Sequence, residues 1–139
     1  GSAWTEQTIG STTPLNLTDV AYANGLLVAV TSGGEVARST NGTAWLSDEV
    51  RPGDTATYML TDITHNGSRW VAVGSRTASP TSSEVIATLY SSDGISWQVG
   101  AAGLAGELHG VIWGLNRFVT VGEIDITGPS NIALILTSP

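Results

Sequence analysis

The 139-residue sequence contains no cysteine and no lysine, and it has a single methionine and a single phenylalanine. Without cysteine, the chain can form neither a disulfide framework nor a metal site with thiolate ligands. It also lacks an apolar run long enough for a transmembrane helix, and no signal peptide is visible. We therefore expect no membrane insertion and no disulfide.

Positive charge is also scarce, because five arginines face twelve acidic residues and the net charge is −7. This balance argues against nucleic acid and anionic membranes as partners. Hydrophobic residues make up 41% of the sequence, which is enough for the core of one domain of ordinary length. No segment shows the period of a helix, so the sequence predicts an all-β fold.

Three segments of the chain align with one another and begin at Leu17, Leu60 and Leu108. Each has two strand-like stretches joined by a short turn rich in asparagine and glycine, which indicates a β-hairpin. A third strand is predicted in each repeat, and a fourth is predicted to begin at Trp45 and at Trp97. The predicted third strands are Glu35–Ser39, Val85–Ser91 and Ile132–Thr137. Four antiparallel strands that recur at intervals of about 45 residues are typical of β-propeller blades.

A turn motif that ends on tryptophan stands at the same place in two repeats, as STNGTAW at 39–45 and SSDGISW at 91–97. Its Asn or Asp side chain can accept hydrogen bonds from backbone N–H groups two residues on. The glycine that follows supplies a positive φ, and the tryptophan folds back as an apolar lid.

The motif resembles the Asp-box (BNR) repeat of sialidase-like β-propellers, with residues 39–45 as a degenerate copy. The resemblance covers nearly the whole chain. It implies that the boxes lie on the outer turns of the blades, away from the active face, and therefore have a structural role. The residues concerned are Ser39, Asn41, Gly42, Trp45, Ser91, Asp93, Gly94 and Trp97, with Trp4 as a further counterpart.

The two ends of the chain are predicted to complete one blade. Ala3 and Trp4 match Ala44 and Trp45, so residues 3–8 are interpreted as an outer fourth strand, whereas the strand at 132–137 lacks one. Propellers need about four to eight blades, so three cannot close a ring. We therefore predict a head-to-tail homodimer with six blades, which a twofold axis would close.

The predicted architecture is three blades and twelve strands in each chain. The blades are predicted at about 17–50, 59–100 and 108–139, the last completed by residues 3–8 of a second chain. A nine-bladed trimer and a piece cut from a larger propeller are the alternatives that the sequence leaves open.

Six residues are candidates for ligand binding, in two groups of three. They are Tyr22, His65 and Trp113, and Arg51, Arg76 and Asp125. The first three share one repeat position on the innermost strand, where they either pack between blades or form a stacking platform for a sugar. The last three lie in links and loops predicted to gather on one face. The loops are predicted at Ser75–Glu84 and Glu123–Asn131, with a linker at Gly100–Gly106.

Catalysis is not predicted. A sialidase would need three arginines in one pocket, an acid/base aspartate and a tyrosine activated by a glutamate, and no three of the five arginines map together. A two-carboxylate glycosidase is less favoured because no pair of acidic residues stands out. His65 and His109 occupy different repeat positions, so neither a metal nor a cofactor is predicted.

The predicted function is a non-catalytic propeller scaffold or binding module that self-assembles into a closed ring and takes a carbohydrate or a protein on its loop face. The alternative is a natural or engineered fragment of a larger propeller with no ligand of its own. The sequence does not fix the location of the protein, and an extracellular or cell-surface location is compatible with it.

Overall fold

The structure is a computed structural model that describes residues 3–10, 15–50, 52–125 and 131–138. All regular structure in these ranges is β, as the sequence predicts. The strands are β1 (Leu17–Ala23), β2 (Leu26–Thr31), β3 (Glu35–Ser39), β4 (Leu46–Glu49), β5 (Thr57–His65), β6 (Trp70–Thr77), β7 (Val85–Ser91), β8 (Gln98–Gly114), β9 (Arg117–Ile124) and β10 (Ile132–Ser138).

The strands form antiparallel meanders, in which each strand pairs with the next one along the chain. Strands β1 to β4 form a four-stranded sheet, and β5 to β10 form a six-stranded one. The 17-residue strand β8 belongs to two pairings, because it pairs with β7 as far as Ala105 and with β9 from Gly106 onward. We call residues 17–50, 57–105 and 106–138 the first, second and third repeats.

The hairpin turns place their central residues at a positive φ, which glycine and asparagine tolerate and leucine adopts only rarely. Asn24 and Gly25 join β1 to β2 with φ values of 52° and 80°, and Leu115 and Asn116 join β8 to β9 with 52° and 58°. Such paired positive values match the right-handed twist of the flanking strands. The predicted hairpins and the predicted third strands β3, β7 and β10 are confirmed.

Each repeat carries a β-bulge at the same place in its first strand. The register shifts between Leu17 and Asp19, between Leu60 and Asp62, and between Leu108 and Gly110. One extra residue therefore bends each of these strands.

Glycine lies opposite two of the bulges because the paired backbones approach very closely there. A Cβ atom on Gly74 would lie 1.9 Å from the carbonyl oxygen of Met59, and one on Gly122 would lie 2.2 Å from that of Glu107. No side chain fits at such distances, so these two positions require glycine.

The core has two parts, and each lies where two repeats meet. We call the contact between the first and second repeats the first junction, and that between the second and third repeats the second junction. The first-junction core consists of Val28, Val30, Val36, Val50, Tyr58, Leu60, Ile63, Trp70, Ala72, Ala87, Leu89 and Trp97. The second-junction core consists of Val73, Ile86, Leu108, Val111 and Phe118.

Four sequence predictions need correction. The predicted linker Gly100–Gly106 lies inside β8, because its backbone pairs with β7 and then with β9. Both predicted loops are shorter than expected. In Ser75–Glu84, residues Ser75 to Thr77 extend β6 and pair with β5, and in Glu123–Asn131, residues Glu123 and Ile124 belong to β9 and pair with β10. Ten strands rather than twelve are found among the described residues, because β8 serves two repeats and residues 3–10 form no strand. The strand predicted at residues 3–8 would pair with a second chain, so a single chain does not test it.

Candidate functional site

The turn at 91–97 is held by hydrogen bonds from two side chains. The Ser91 hydroxyl accepts the N–H of Gly94 at 2.8 Å and donates to the Asp93 carboxylate at 2.9 Å. That carboxylate also accepts the N–H groups of Ile95 and Ser96, both at 2.8 Å. The two backbone donors hold the pKa of Asp93 below its usual value.

The turn at 39–45 repeats this arrangement with an uncharged side chain. Gly42 donates to the Ser39 hydroxyl at 2.9 Å, and the Asn41 side-chain oxygen accepts the N–H groups of Thr43 and Ala44, both at 2.9 Å. The predicted positive φ is confirmed, with 77° at Gly42 and 72° at the equivalent glycine of the second repeat. Asn therefore forms the same turn as Asp.

The two tryptophans of these turns differ in burial. Trp97 is 6% exposed in the first-junction core, and its buried Nε1 has no hydrogen-bond partner among the described residues. Trp45 is half-buried, and its Nε1 donates to the carbonyl oxygen of Gly42 at 3.2 Å. The second-repeat turn is pressed against the first repeat, since a Cβ atom on Gly94 would lie 3.0 Å from the side chain of Leu26.

A Thr–Asp pair links each of the first two repeats to the repeat that follows. The Thr18 hydroxyl lies 3.1 Å from the carbonyl oxygen of Val30 and 2.8 Å from that of Leu60, which belongs to the second repeat. The Asp19 carboxylate accepts the N–H of Ile63 at 3.0 Å. We call each such Thr–Asp pair a junction clamp.

The second clamp repeats these contacts at the second junction. The Thr61 hydroxyl lies 3.1 Å from the carbonyl oxygen of Val73 and 2.6 Å from that of Leu108, in the third repeat. The Asp62 carboxylate accepts the N–H of Val111 at 2.6 Å. The clamps thus bind the bulged strand of the next repeat, and the bulge supplies the clamp threonine.

The two clamp aspartates lie side by side. The N–H of Ile63 donates to both carboxyl groups, at 2.8 Å to Asp62 and 3.0 Å to Asp19. Burial, and then the adjacent Asp19 carboxyl group, raise the pKa of Asp62 from 3.8 to about 6. The cause is the cost of placing two negative charges in a partly desolvated site.

The clamps were missed in the sequence, although a signal was present. The first two repeats share Leu-Thr-Asp at 17–19 and 60–62, and the third has Leu-His-Gly at 108–110. His109 and Gly110 offer no carboxylate and no hydroxyl, so the third repeat lacks a clamp for a following repeat. The repeat alignment shows this difference. Only the bulge, however, explains how the Thr–Asp pair contacts the next repeat.

The outward-facing side of the first repeat is uncovered. Leu17 is 50% exposed, whereas its equivalent Leu60 in the first junction is 0% exposed. Val20 is likewise exposed, and its equivalent Ile63 is buried. The first repeat therefore presents the same apolar face that the second repeat packs against its neighbour.

The outward-facing side of the third repeat is uncovered too. Val121 is 46% exposed, whereas its equivalent Val73 is 0% exposed in the second junction. Ile135 on β10 is also exposed, and its equivalent in the first repeat, Val36, is buried. The two ends of the row of repeats thus expose the two different halves of a junction.

A cleft of about 240 Å³ lies between the second and third repeats. Its mainly apolar lining includes Val71, Val73, Val111, Phe118 and Leu136. The equivalent residues of the first junction are all buried in one core together with Trp97; they are Val28, Val30, Ile63, Trp70 and Leu89. The cleft is therefore the second-junction counterpart of a space that is filled in the first.

Tyr22, His65 and Trp113 occupy one register position, as the repeat alignment predicts. Each is the cross-strand partner of one repeat position, at Leu27, Trp70 and Phe118, and the last two of these are core residues. The ring centroids are 4.6 Å apart for the His65 pair and 4.7 Å apart for the Trp113 pair. Tyr22, by contrast, is exposed. Packing thus accounts for His65 and Trp113, and burial lowers the pKa of His65.

Arg76 is held in a small polar cluster. Its Nη1 donates to the Asp54 carboxylate at 2.8 Å, and the Tyr58 hydroxyl donates to the same carboxylate at 2.7 Å. Burial, and then Asp54, raise the pKa of Tyr58 to about 12. The charge of Arg76 is therefore balanced within the chain.

Of the other loop candidates, Asp125 is not brought into this cluster. Arg51 lies outside the described residues. Asp125 is exposed, and its N–H donates to the carbonyl oxygen of Ala105 at 2.9 Å. Two further arginines have partners elsewhere, since Arg38 pairs with Asp48 and Arg69 lies 5.1 Å from the ring centre of Tyr90.

The described ranges contain neither a metal site nor a membrane-spanning helix. Within them, no group of three or more His, Asp or Glu side chains is placed to hold a metal ion. The same residues contain no helix of a length and apolarity that would span a membrane. In comparisons with known proteins, no family model, no curated protein and no solved structure matches the chain.

Proposed function

We propose that the chain is a non-catalytic β-propeller scaffold that assembles head to tail with a second copy into a closed ring of six blades. Each repeat would be one blade, and residues 3–8 of the second copy would supply the outer strand of the third. The observation that carries the proposal is the pair of uncovered faces at the two ends of the row of repeats.

These faces fit each other because they repeat a contact that the chain makes twice internally. Inside the chain, Val30 and Val36 of one repeat share a core with Leu60 and Ile63 of the next. The third repeat exposes the counterparts of the first pair, and the first repeat exposes the counterparts of the second. Stacking the third repeat of one copy on the first repeat of another would bury both faces. Two such identical contacts close a ring.

The arrangement of the carboxyl groups supports a structural role over a hydrolytic one. Asp19 and Asp62 are adjacent, yet both accept backbone N–H groups of the following repeat. These bonds across the junctions give both carboxyl groups a structural role, which favours a scaffold over a hydrolase. A carbohydrate or protein ligand of the scaffold would be sought at exposed Tyr22 and at the loops around Asp54 and Arg76.

The solution mass tests the proposal. At micromolar concentration, light scattering should give twice the 14.3 kDa mass of one chain. Ile135→Asp should give a folded monomer, because it places a charge on a face that is exposed in the single chain and buried in the ring. The matched control Leu115→Asp alters a residue 94% exposed on a turn and should leave the mass doubled. A wild-type protein that stays folded and monomeric would contradict the proposal, and a tripled mass would replace six blades by nine.

A further inference from the structure

We propose that Trp4 of a second copy docks in the cleft between the second and third repeats, in the position that Trp97 holds in the first junction. The inference rests on the self-assembly proposed above, but it concerns a different surface. Self-assembly needs only the exposed faces at Leu17 and Ile135, whereas the Trp4 contact needs the cleft lined by Val71, Phe118 and Leu136.

The cleft has the right chemistry for an indole. Its lining is mainly apolar, and Trp97 fills the equivalent space one repeat earlier against residues of the same type. Its volume of about 240 Å³ is below the roughly 300–1,000 Å³ of pockets for drug-sized ligands. A single large side chain therefore suits it better than a free small molecule.

Trp4 is the side chain that the chain itself offers. It is fully exposed in the single chain, with a relative exposure of 102%. Tryptophan is a frequent anchor of interfaces because burial of its large ring is favourable. An exposed tryptophan does not gain this stabilisation. The alanine before it, Ala3, matches Ala44 before Trp45 in the first repeat.

The position of Trp4 along the chain assigns it to another copy. Trp45 lies in the first repeat, before Leu60 opens the second. Trp97 likewise lies in the second repeat, before Leu108 opens the third. Trp4 precedes Leu17 by a similar length of chain. It therefore belongs to a repeat that stands before the first one, which in a head-to-tail ring is the third repeat of the second copy.

The intervening segment has a course consistent with this arrangement. Thr5, Gln7 and Ile9 lie close to Leu17 and Trp45, beside the uncovered face of the first repeat. When that face packs on the third repeat of another copy, the segment of Thr5, Gln7 and Ile9 also lies next to that repeat. Residues 3–10 form no strand within the single chain and are free to pair with β10 of the neighbour.

Disulfide trapping tests the contact directly, because the sequence has no cysteine of its own. A Trp4→Cys chain is mixed with a Thr137→Cys chain, whose new thiol lies in the cleft lining, and the mixture is oxidised by air. A covalent dimer that joins the two variants is expected. The matched control replaces Thr137→Cys by Leu115→Cys, at a residue that is 94% exposed and lies outside the cleft. Equal trapping in both mixtures, or trapping in neither, would overturn the contact.

A peptide experiment separates docking from self-assembly. The full-length Trp4→Ala variant should dimerise about tenfold more weakly or worse, because an interface anchor is lost. A labelled peptide of residues 1–8 should bind this variant, and the same peptide with alanine at position 4 should not. A Trp4→Ala variant that dimerises like the wild type and binds neither peptide would overturn Trp4 docking but leave self-assembly standing.

Three further outcomes also decide. A monomeric wild type would overturn both proposals. Competition by free indole that equals competition by the peptide would make the cleft a small-molecule pocket, which also overturns docking. In a Trp4→Cys/Thr137→Cys double variant, a disulfide within one chain would show that Trp4 reaches its own cleft and would exclude the second copy as the occupant.

Discussion

The two junctions of this protein are built from the same parts but are filled differently. Both have a bulged first strand, a Thr–Asp clamp and facing valine and leucine side chains. The first junction also contains Trp97 and forms a continuous core, whereas the second has a cleft at the matching place. The turn tryptophan, which comes from beyond the third strand of each repeat, is what distinguishes them.

The difference shows that the strands of a repeat pair whether or not the adjacent junction is completely packed. Three strands of the third repeat pair normally with the second sheet, although no fourth strand follows among the described residues. The clamp also forms at both junctions without help from the tryptophan. Closing the outer part of a junction, however, needs an aromatic side chain that the paired strands do not supply.

The largest effect is expected from removing Trp97. Trp97→Ala should leave a cleft in the first junction like the one in the second. It should lower the free energy of unfolding by about 3–5 kcal/mol, because removal of a buried aromatic side chain leaves a cavity. Trp45→Ala is the matched control on the half-buried equivalent and should cost clearly less. Chemical denaturation of both variants measures the two losses, and equal small losses would show that Trp97 does not hold the junction closed.

A smaller effect is expected from the clamp threonines, and it compares the two junctions directly. Thr61→Val removes the hydroxyl near the carbonyl oxygen of Leu108 and should cost about 1 kcal/mol in the free energy of unfolding. Thr18→Val removes the equivalent contact to Leu60 and should cost less, since Thr18 is exposed and water can replace the hydroxyl. A larger loss at Thr18 than at Thr61 would contradict the argument from solvent exposure. Urea unfolding of the two single variants is the measurement.

The third comparison is a pH dependence centred on Asp62. Its pKa is about 6 in the folded protein and near 3.8 when unfolded, so the folded state holds the proton more tightly. This group therefore contributes stability that is complete below about pH 3.8 and is lost as the pH rises through about 6. Melting temperatures of wild type and Asp62→Asn between pH 3.5 and roughly 7.5 should diverge with this sign.

A second aspartate provides the control of opposite sign. The pKa of Asp93 is lowered by its backbone donors, so its contribution is lost as the pH falls below its usual range. Asp93→Asn should therefore flatten the acid side of the profile, and the natural Asn41 shows that the amide keeps the turn. If the melting temperature of Asp62→Asn ran parallel to that of the wild type across the whole pH range, the adjacent carboxyl groups would not explain the pH dependence of stability.

Part of the candidate site could be predicted from the sequence and part could not. The bonds of the turns at 39–45 and 91–97 join residues at most three positions apart, so residue type alone fixes them. The repeat alignment of Trp70 with Leu27 and Phe118 predicts a core position, and Trp70 is buried. The clamps were not predicted, because they join residues more than forty positions apart and need the bulge to aim them.

By itself the sequence determined the repeats, the hairpins and the tryptophan turns, since alternation of apolar residues and local hydrogen bonding act within a few residues. The tertiary structure decided that Gly100–Gly106 continues one strand through two repeats, because backbone pairing with β7 and β9 overrides a composition typical of a linker. It also decided which side chains meet at each junction, and so left one junction filled and the other with a cleft. These features depend on the spacing between repeats. That spacing is set by packing and cannot be derived from any single segment of the sequence.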